Sequence, residues 1–152
     1  MENTKPALYL SGSMEKSDDP NTWRKKMFKS LHAYYKVIIP NKADIPFDKD
    51  DPEYKVWMRN KFVMPDMIEV ATSGYVFVKF DPAVFKGAGT ISEVTTAAWM
   101  GKHIVYWCDG IKEEKMPGWT LGCLADAIKV NSINAAIDLY KKLAIIRKGE
   151  NK

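Results

Sequence analysis

Residues 85–102, FKGAGTISEVTTAAWMGK, join two apolar runs and combine a glycine-rich start with a helix-compatible remainder that ends at Gly101. The run before this stretch (residues 75–80) and the run after it (residues 104–108) have the length and composition of buried strands. Strand, glycine loop, helix and strand in this order predict a parallel unit whose loop and first helical turn lie at the carboxyl end of the sheet. Open α/β folds bind their ligands there. Glu93, in that first turn, is therefore a candidate functional residue.

The same glutamate also has a purely structural interpretation. Thr90 and Glu93 have the spacing of a capping box, in which the threonine hydroxyl and the glutamate carboxylate each accept a hydrogen bond from a free N–H at the helix start. Taken alone, these two residues support capping at least as well as catalysis. The rest of the chain has to decide between the two roles.

The rest of the chain repeats the alternation of strands and helices. Apolar runs predict strands at residues 7–10, which end at Ser11-Gly12-Ser13, and at residues 37–39. Helical spacing predicts a helix after Pro20, one over residues 54–72 with a kink or restart at Pro65, and a last helix capped by Asn131 or Ser132. Residues 121–130 fit either a helical turn or a strand.

The apolar faces expected in the core are Trp23, Met27, Leu31, Tyr34 and Tyr35 on the first helix, and Ile133, Ala136, Ile137, Tyr140, Leu143 and Ala144 on the last. This alternation predicts a single-domain α/β fold with a mostly parallel, doubly wound (flavodoxin- or Rossmann-like) sheet and helices on both faces.

Composition narrows the class of protein. The chain has 152 residues, 46% of them hydrophobic and 28% charged, as is usual for one globular domain. A net charge of +4 with scattered lysines predicts no nucleic-acid partner, although it can favour small anions. The chain shows no secretory signal pattern and no apolar run long enough to cross a membrane, so we expect a cytoplasmic protein without a membrane partner. Its cysteines and histidines have no metal-ligand spacing, so we expect neither a metal nor a cofactor.

One long polar segment interrupts the alternation. Residues 41–52 are rich in turn-forming residues, and a loop of this length inside a compact domain is usually functional or mobile, so we interpret it as a candidate lid. Its aspartates do not have the spacing of a calcium loop and are expected to be solvated.

Three segments of the chain together match a known family pattern. The first is Tyr9-Leu10-Ser11-Gly12-Ser13, and the second is Asp66, on a helix shortly before the strand at residues 75–80. The third is Gly89-Thr90-x-x-Glu93, which leads through alanines to Gly101-Lys102. This pattern resembles the nucleoside 2-deoxyribosyltransferase family and the related nucleotide N-glycosidases, over roughly residues 7–130. The resemblance implies that residues 1–152 form a single nucleoside deoxyribosyltransferase-like domain.

The resemblance also implies catalytic roles. Glu93 would be the nucleophile, because a carboxylate below the anomeric carbon can stabilise or capture the oxocarbenium-like centre formed when an N-glycosidic bond breaks. The leaving base needs a proton, and Asp66 is the first choice for supplying it or for orienting Glu93, with Asp81 as the second choice.

The implied substrate-binding residues lie at the same sheet edge. They are Tyr9, Ser11, Gly12, Ser13, Asp81, Lys86, Gly87, Gly89 and Thr90. Backbone amides of the glycine loop at a helix N-terminus can bind an anion, and Lys86 would add a charge, although the glycines also fit a tight strand-to-helix connection.

Three functions follow as hypotheses. The first is transfer of a deoxyribosyl group between bases through a Glu93-linked intermediate, and the second is hydrolysis of a nucleoside 5′-monophosphate on the same fold. The third is nucleotide binding without turnover, because Gly87 and Thr95 differ from the residues usual in the family.

A homo-oligomer with shared sites is also expected. Residues 121–128 look like the family segment that reaches a neighbouring subunit's site. Large apolar residues near the site further suggest a partner surface: Trp57, Met58, Phe62, Met64, Met67 and Trp119. The same residues could instead fill a local core beneath the segment 41–52.

Overall fold

Five parallel strands form one sheet in the computed structural model, which describes residues 4–14, 19–40 and 44–150. The strands are β1 (Ala7–Gly12), β2 (Lys36–Ile38), β3 (Tyr75–Phe80), β4 (His103–Cys108) and β5 (Ile128–Val130). Their order is β2-β1-β3-β4-β5, and every neighbouring pair is parallel. This is the flavodoxin-like order, whose switch point lies between β1 and β3. The predicted fold class is confirmed.

Helices cover both faces of this sheet. They are α1 (Thr22–Leu31), α2 (Tyr54–Met58), α3 (Met64–Thr72), α4 (Gly89–Trp99), α5 (Gly118–Cys123) and α6 (Ile133–Glu150). A π-helical turn spans Arg59–Val63, and short 3₁₀ turns span Pro82–Lys86 and Glu113–Lys115. Among the described residues, no helix is both long and apolar enough to cross a bilayer.

The alternation of side chains along β1 divides the core into two layers. Leu8 and Leu10 pack with α1 and α6, whereas Tyr9, between them, packs with α3 and α4. Successive strand residues point to opposite faces of a sheet, so one strand supplies both layers. Ser11 consequently lies on the same face as Tyr9.

The first strand is longer than its apolar run. We expected it to end at residue 10, but Ser11 and Gly12 continue the parallel ladder and pair with Val78 and Lys79. The prediction of a loop at Ser11-Gly12 is therefore wrong, because ladder hydrogen bonds use the backbone and do not require an apolar side chain.

The expected core faces are largely confirmed. Trp23, Met27, Leu31 and Tyr35 are buried, although Tyr34 and Tyr35 lie beyond the end of α1. On α6, the buried residues include Ala136, Ile137, Tyr140 and Ala144, and the Ser132 hydroxyl accepts the Ala135 N–H at 3.0 Å, as expected of a cap. The ambiguous residues 121–130 contain the end of α5 and all of β5.

The helix predicted over residues 54–72 restarts rather than breaks. A π-helical turn over Arg59–Val63 separates α2 from α3, and the Met64 N–H donates to the Arg59 carbonyl. In a regular α-helix the ring of Pro65 would meet the carbonyl four residues earlier, and a π turn relieves that crowding by widening the helix. Asp66 then lies in the first turn of α3.

The candidate lid falls partly outside the described residues, because residues 41–43 are not among them. Within residues 44–53, Phe47 packs edge-on against Trp57 with ring centroids 6.3 Å apart. The Asp51 carboxylate accepts the Glu53 N–H at 2.8 Å. The rest of this segment therefore folds back against α2.

Candidate active site

The Glu93 carboxylate is held by two hydroxyl groups of β1. Tyr9 Oη donates to Glu93 Oε2, and Ser11 Oγ donates to Glu93 Oε1 at 2.9 Å. All three residues are buried. Because Tyr9 and Ser11 are two positions apart on one strand, their hydroxyls reach the same side of the sheet and together bind both carboxylate oxygens.

The capping-box interpretation of Thr90 and Glu93 is wrong. Helix α4 already begins at Gly89 with Ala88 at the N-cap, and no side chain caps it. Thr90 thus lies inside the helix, whereas a capping hydroxyl must come from the residue just before the first helical one. The Glu93 carboxylate bonds to β1 instead of to its own helix start.

A cavity of about 430 Å³ opens beside Glu93 at the carboxyl end of β1 and β3. Asp66, from α3, lines the same cavity, so the two carboxyl groups expected to carry the chemistry face one space. The apolar part of the lining includes Pro40, Met58, Phe62, Val63, Met67, Ala83 and Val84. A largely apolar cavity with a few polar groups is typical of small-molecule binding sites.

Burial shifts the titration of both carboxyl groups. Burial is the main cause that raises the pKa of Glu93 to about 7, and the nearby Asp66 charge adds to it, while the hydroxyls of Tyr9 and Ser11 and the charge of Arg24 act in the opposite direction. Burial, followed by the charge of Glu69, raises the pKa of Asp66 to about 6. Burial also raises the pKa of Tyr9, so its phenol remains a donor. The pair can therefore hold a single proton near neutral pH.

The glycine loop contributes backbone to the cavity. Ser13, Gly87, Gly89 and Thr90 all line it. A Cβ added at Gly87 or Gly89 would have no neighbour within 4 Å, so their absent side chains leave open space rather than fill a packed contact.

Gly12 also lines the cavity but is closely surrounded. A Cβ at this position would lie 3.0 Å from Trp23 Cζ2 and 3.3 Å from Arg24 Nη2. α1 approaches the end of β1 so closely that a side chain at position 12 would have to displace Trp23 or Arg24.

Asp81 and Lys86 are not at this cavity. The Asp81 carboxylate accepts the N–H groups of Ala83 and Val84 and pairs with Lys79 at 3.4 Å, so it caps the 3₁₀ turn that follows β3. Asp81 and Lys86 line a separate, shallower depression beside Asp109.

Tyr9 and Ser11 also differ from the expectation in position, because they contact Glu93 from beneath and are not part of the cavity lining.

Sequence reasoning missed Arg24. Its side chain is fully buried beside β1 and donates hydrogen bonds to the carbonyls of Leu10, Gly12 and Pro20. A signal was available, because Arg24, Met27 and Leu31 follow helical spacing and a cation on an apolar face is unusual. Within the described residues, no cluster of three histidine, cysteine or carboxylate side chains could hold a metal ion.

Comparison with known proteins identifies the fold. No family model and no curated protein matches the chain. Among solved structures, the chain is similar to the CMP N-glycosidase BcmB of Clostridium botulinum, with a TM-score of 0.57 and 11% sequence identity. The likeness covers 89% of this chain and 98% of the glycosidase. The chain thus shares with that N-glycosidase its parallel, flavodoxin-like α/β architecture.

Proposed function

We propose that this protein cleaves the N-glycosidic bond of a 2′-deoxyribonucleoside and transfers the deoxyribosyl group to another base. The observation that carries the proposal is the arrangement around Glu93. Its two carboxylate oxygens are fixed by Tyr9 and Ser11, and the group faces a cavity that it shares with Asp66. A fixed carboxylate and a second carboxyl group at one cavity are the two parts that cleavage of a glycosidic bond requires.

The reaction divides the work between the two carboxyl groups. Glu93 attacks the anomeric carbon while the bond from that carbon to the base nitrogen breaks, and the bonding electron pair goes to the base. Asp66 donates its proton to the departing base. An acceptor base then attacks the anomeric carbon, the bond to Glu93 breaks, and the proton lost by the acceptor returns to Asp66.

The raised pKa values of the pair have a consequence for this scheme. The reactive form has Glu93 ionised and Asp66 protonated. Because burial raises the pKa values of Glu93 and Asp66 to about 7 and about 6, the pair shares one proton near neutral pH, and the reactive form is most populated between these two values.

The apolar wall favours transfer over hydrolysis. Met58, Phe62, Val63 and Met67 offer a surface on which a base can stack and which limits the access of water to the anomeric carbon. An acceptor base bound there would compete well with water for the glycosyl intermediate.

Hydrolysis of a nucleoside 5′-monophosphate is the second candidate function. Two observations favour it: the backbone of residues 87–89 lines the cavity at the start of α4, where free N–H groups can bind a phosphate, and the similar solved structure is an N-glycosidase of CMP. Water would then take the place of the acceptor base.

One experiment separates these functions. The protein is incubated with a panel of deoxynucleosides and their monophosphates, with and without a free acceptor base, and the products are resolved by chromatography. Exchange of bases that depends on the acceptor supports the transferase. Release of free base from monophosphates alone supports the hydrolase. Ligand binding without product, under conditions in which Glu93→Gln behaves like the wild-type protein, would leave a nucleotide-binding protein and contradict both enzymes.

We also propose that the active form is a homo-oligomer whose subunits share sites. Among the large apolar residues predicted near the site, Met58, Phe62 and Met67 line the cavity, whereas Met64 and Trp119 are 49% and 70% exposed. Trp99 on α4 is 86% exposed. Exposed tryptophans on neighbouring helices of one layer support a partner surface on the face formed by α3, α4 and α5.

A further inference from the structure

Arg24 is a buried cation whose hydrogen bonds all go to main-chain carbonyls in the described part of the chain. Nε donates to the Leu10 carbonyl at 3.3 Å, Nη2 donates to the Gly12 carbonyl at 2.9 Å, and Nη1 donates to the Pro20 carbonyl. The guanidinium also lies 4.5 Å from the ring centre of Trp23. Burying a charge is costly unless it is well bonded, and these hydrogen bonds satisfy the guanidinium while they attach it to the carboxyl end of β1. They therefore place a buried positive charge beside the strand that carries Tyr9 and Ser11.

We propose that Arg24 is a positioning residue for Glu93, acting through the carboxyl end of β1 and through its buried positive charge. This inference rests on the proposed role of Glu93 as the reacting carboxylate. Arg24 itself does not line the cavity.

The hydrogen bonds of Arg24 bracket the residue that holds Glu93. Leu10 and Gly12 flank Ser11, so fixing both carbonyls fixes the peptide plane that precedes Ser11 and the one that follows Gly12, and holds Ser11 between them. The direction of the Ser11 hydroxyl, which donates to Glu93 Oε1, follows from that backbone. The planar fork of an arginine can span two carbonyls of one strand, whereas the single ammonium of a lysine cannot fix both in the same way.

Gly12 shows that the chain makes room for this contact. A Cβ at Gly12 would lie 3.3 Å from Arg24 Nη2 and 3.0 Å from Trp23 Cζ2. Gly12, the last residue of β1, thus has no side chain where the Arg24 guanidinium of α1 contacts the strand.

The polar and charged groups around Glu93 come from three elements. Tyr9 and Ser11 face it from β1, Asp66 faces it from α3, and Arg24 of α1 is the cation that acts on it. Burial lowers the pKa of Arg24 to about 10, which leaves it positively charged at neutral pH. The nearby Glu93, Tyr9 and Asp81 groups act against this effect of burial and raise the pKa of Arg24. Arg24 therefore opposes the effect of burial on Glu93 and increases the ionised fraction that the reaction needs.

The test uses two variants of Arg24 and a matched control. Arg24→Met removes the charge and all three carbonyl hydrogen bonds, while Arg24→Lys keeps a charge without the planar fork. Lys25→Met is the control, because Lys25 is exposed on the same helix and its loss changes the net charge equally. The titration of the Glu93 carboxyl group is followed by ¹³C NMR, with Glu93→Gln identifying the signal.

In Arg24→Met we expect the Glu93 midpoint to move to higher pH, with no such shift in Lys25→Met. In Arg24→Lys we expect a smaller shift but a fall in kcat of roughly tenfold or more at nearly constant KM, because the Ser11 hydroxyl is displaced. A Glu93 midpoint in folded Arg24→Met equal to that of the wild-type protein would overturn the inference. So would unchanged kcat in Arg24→Lys.

A measurement on the wild-type protein covers the case in which neither variant folds. The Arg24 Nε–H resonance should move with pH at the midpoint of the Glu93 carboxyl group, and it should stay constant over the same range in Glu93→Gln. A constant resonance in the wild-type protein would contradict the coupling. Because this readout needs no turnover, it separates failure of the Arg24 inference from failure of the proposed function, which full activity of Glu93→Gln would reveal.

Discussion

At the scale of single residues, replacing Glu93 by glutamine separates chemistry from folding. Glu93 does not cap its helix, so an amide of the same shape should leave the fold intact, but it cannot act as an anionic nucleophile. We expect turnover to be abolished while the circular dichroism spectrum is retained. Glu114→Gln is the matched control, because Glu114 is exposed and lies outside the cavity lining, so this variant should remain active. A fully active Glu93→Gln would refute the proposed role.

Asp66 should determine the alkaline side of the pH profile. Asp66 acts in its protonated form, and the protonated fraction decreases as pH rises through its pKa of about 6. Glu93 acts in its ionised form, and the ionised fraction decreases as pH drops through its pKa of about 7, so kcat follows the product of the two fractions. The wild-type profile of kcat should therefore be a bell centred between these values.

Asp66→Asn removes the proton donor while keeping a side chain of the same size. We expect kcat to fall by about 10²- to 10⁴-fold, the affinity for substrate to change little, and the alkaline limb of the profile to disappear. Rates measured from pH 5 to pH 9 test this directly. An unaltered rate and profile would remove Asp66 from the site.

At the scale of helices and strands, the π turn divides one wall of the cavity into two parts with different anchors. Neither α2 nor the π turn buries a residue, whereas α3 buries Val70 and its Ala71 carbonyl accepts Lys102 Nζ at 2.6 Å. We expect amide hydrogen exchange to be faster in residues 54–63 than in residues 66–72, and to slow in residues 54–63 when a ligand fills the cavity. Equal protection of both segments would contradict this division.

The sequence predicts elements best where the apolar pattern is uninterrupted. The strands at residues 75–80 and 103–108 appear as expected, because buried parallel strands are continuous apolar runs. The end of β1 was misplaced because Ser11 and Gly12 join the ladder through their backbone alone. The π turn was not predicted, because propensity indicates that Pro65 disturbs a helix but not how the backbone accommodates it.

The positions of some site residues were also predictable from the sequence. Glu93 and Asp66 face one cavity as expected, because motif and topology place both at the same sheet edge. The contacts of Tyr9 and Ser11 with Glu93, over 80 positions along the chain, depend on how α4 sits on β1, and sequence spacing carries no information on that. Helical spacing places Arg24 on the apolar face of α1, but its partners are backbone carbonyls, which that spacing does not identify.

At the scale of the whole molecule, stability should fall as pH rises from about 4.5 to about 7. In this window the unfolded Glu93 has lost its proton, since its ordinary pKa is 4.5, whereas the folded carboxyl group, with a pKa of about 7, retains it. The unfolded state then binds fewer protons, so the free energy of unfolding decreases, by an amount on the order of 3 kcal/mol. Asp66 adds to the decrease in the same direction.

Urea denaturation of the wild-type protein and of Glu93→Gln at several pH values tests this expectation. The difference between the two proteins isolates the share of Glu93 from that of the other carboxyl groups. The variant should lose less stability than the wild-type protein between pH 4.5 and pH 8. Parallel curves would show that burial of Glu93 does not shift its titration.

Assembly is the second property of the whole molecule. Light scattering should give a multiple of the 17.3 kDa chain mass, and dilution should reduce mass and activity together. Trp99→Ser should weaken the assembly, because Trp99 is the most exposed large apolar side chain on the proposed face. Ile145→Ser, on α6 and 66% exposed, is the control on the opposite layer and should have no effect. A fully active monomer would contradict shared sites.

Because side chains alternate between the two faces along β1, enzymatic activity also reports whether this strand has folded in its correct register. A slip of this strand by one residue would turn Tyr9 and Ser11 towards α1 and α6 and place Leu8 and Leu10 beneath Glu93. A misregistered sheet could still be compact and rich in secondary structure, but Glu93 would have no hydroxyl partners there. Recovered activity after refolding would therefore count the molecules in which β1 has found its native register, which a spectroscopic measure of helix and strand content cannot do.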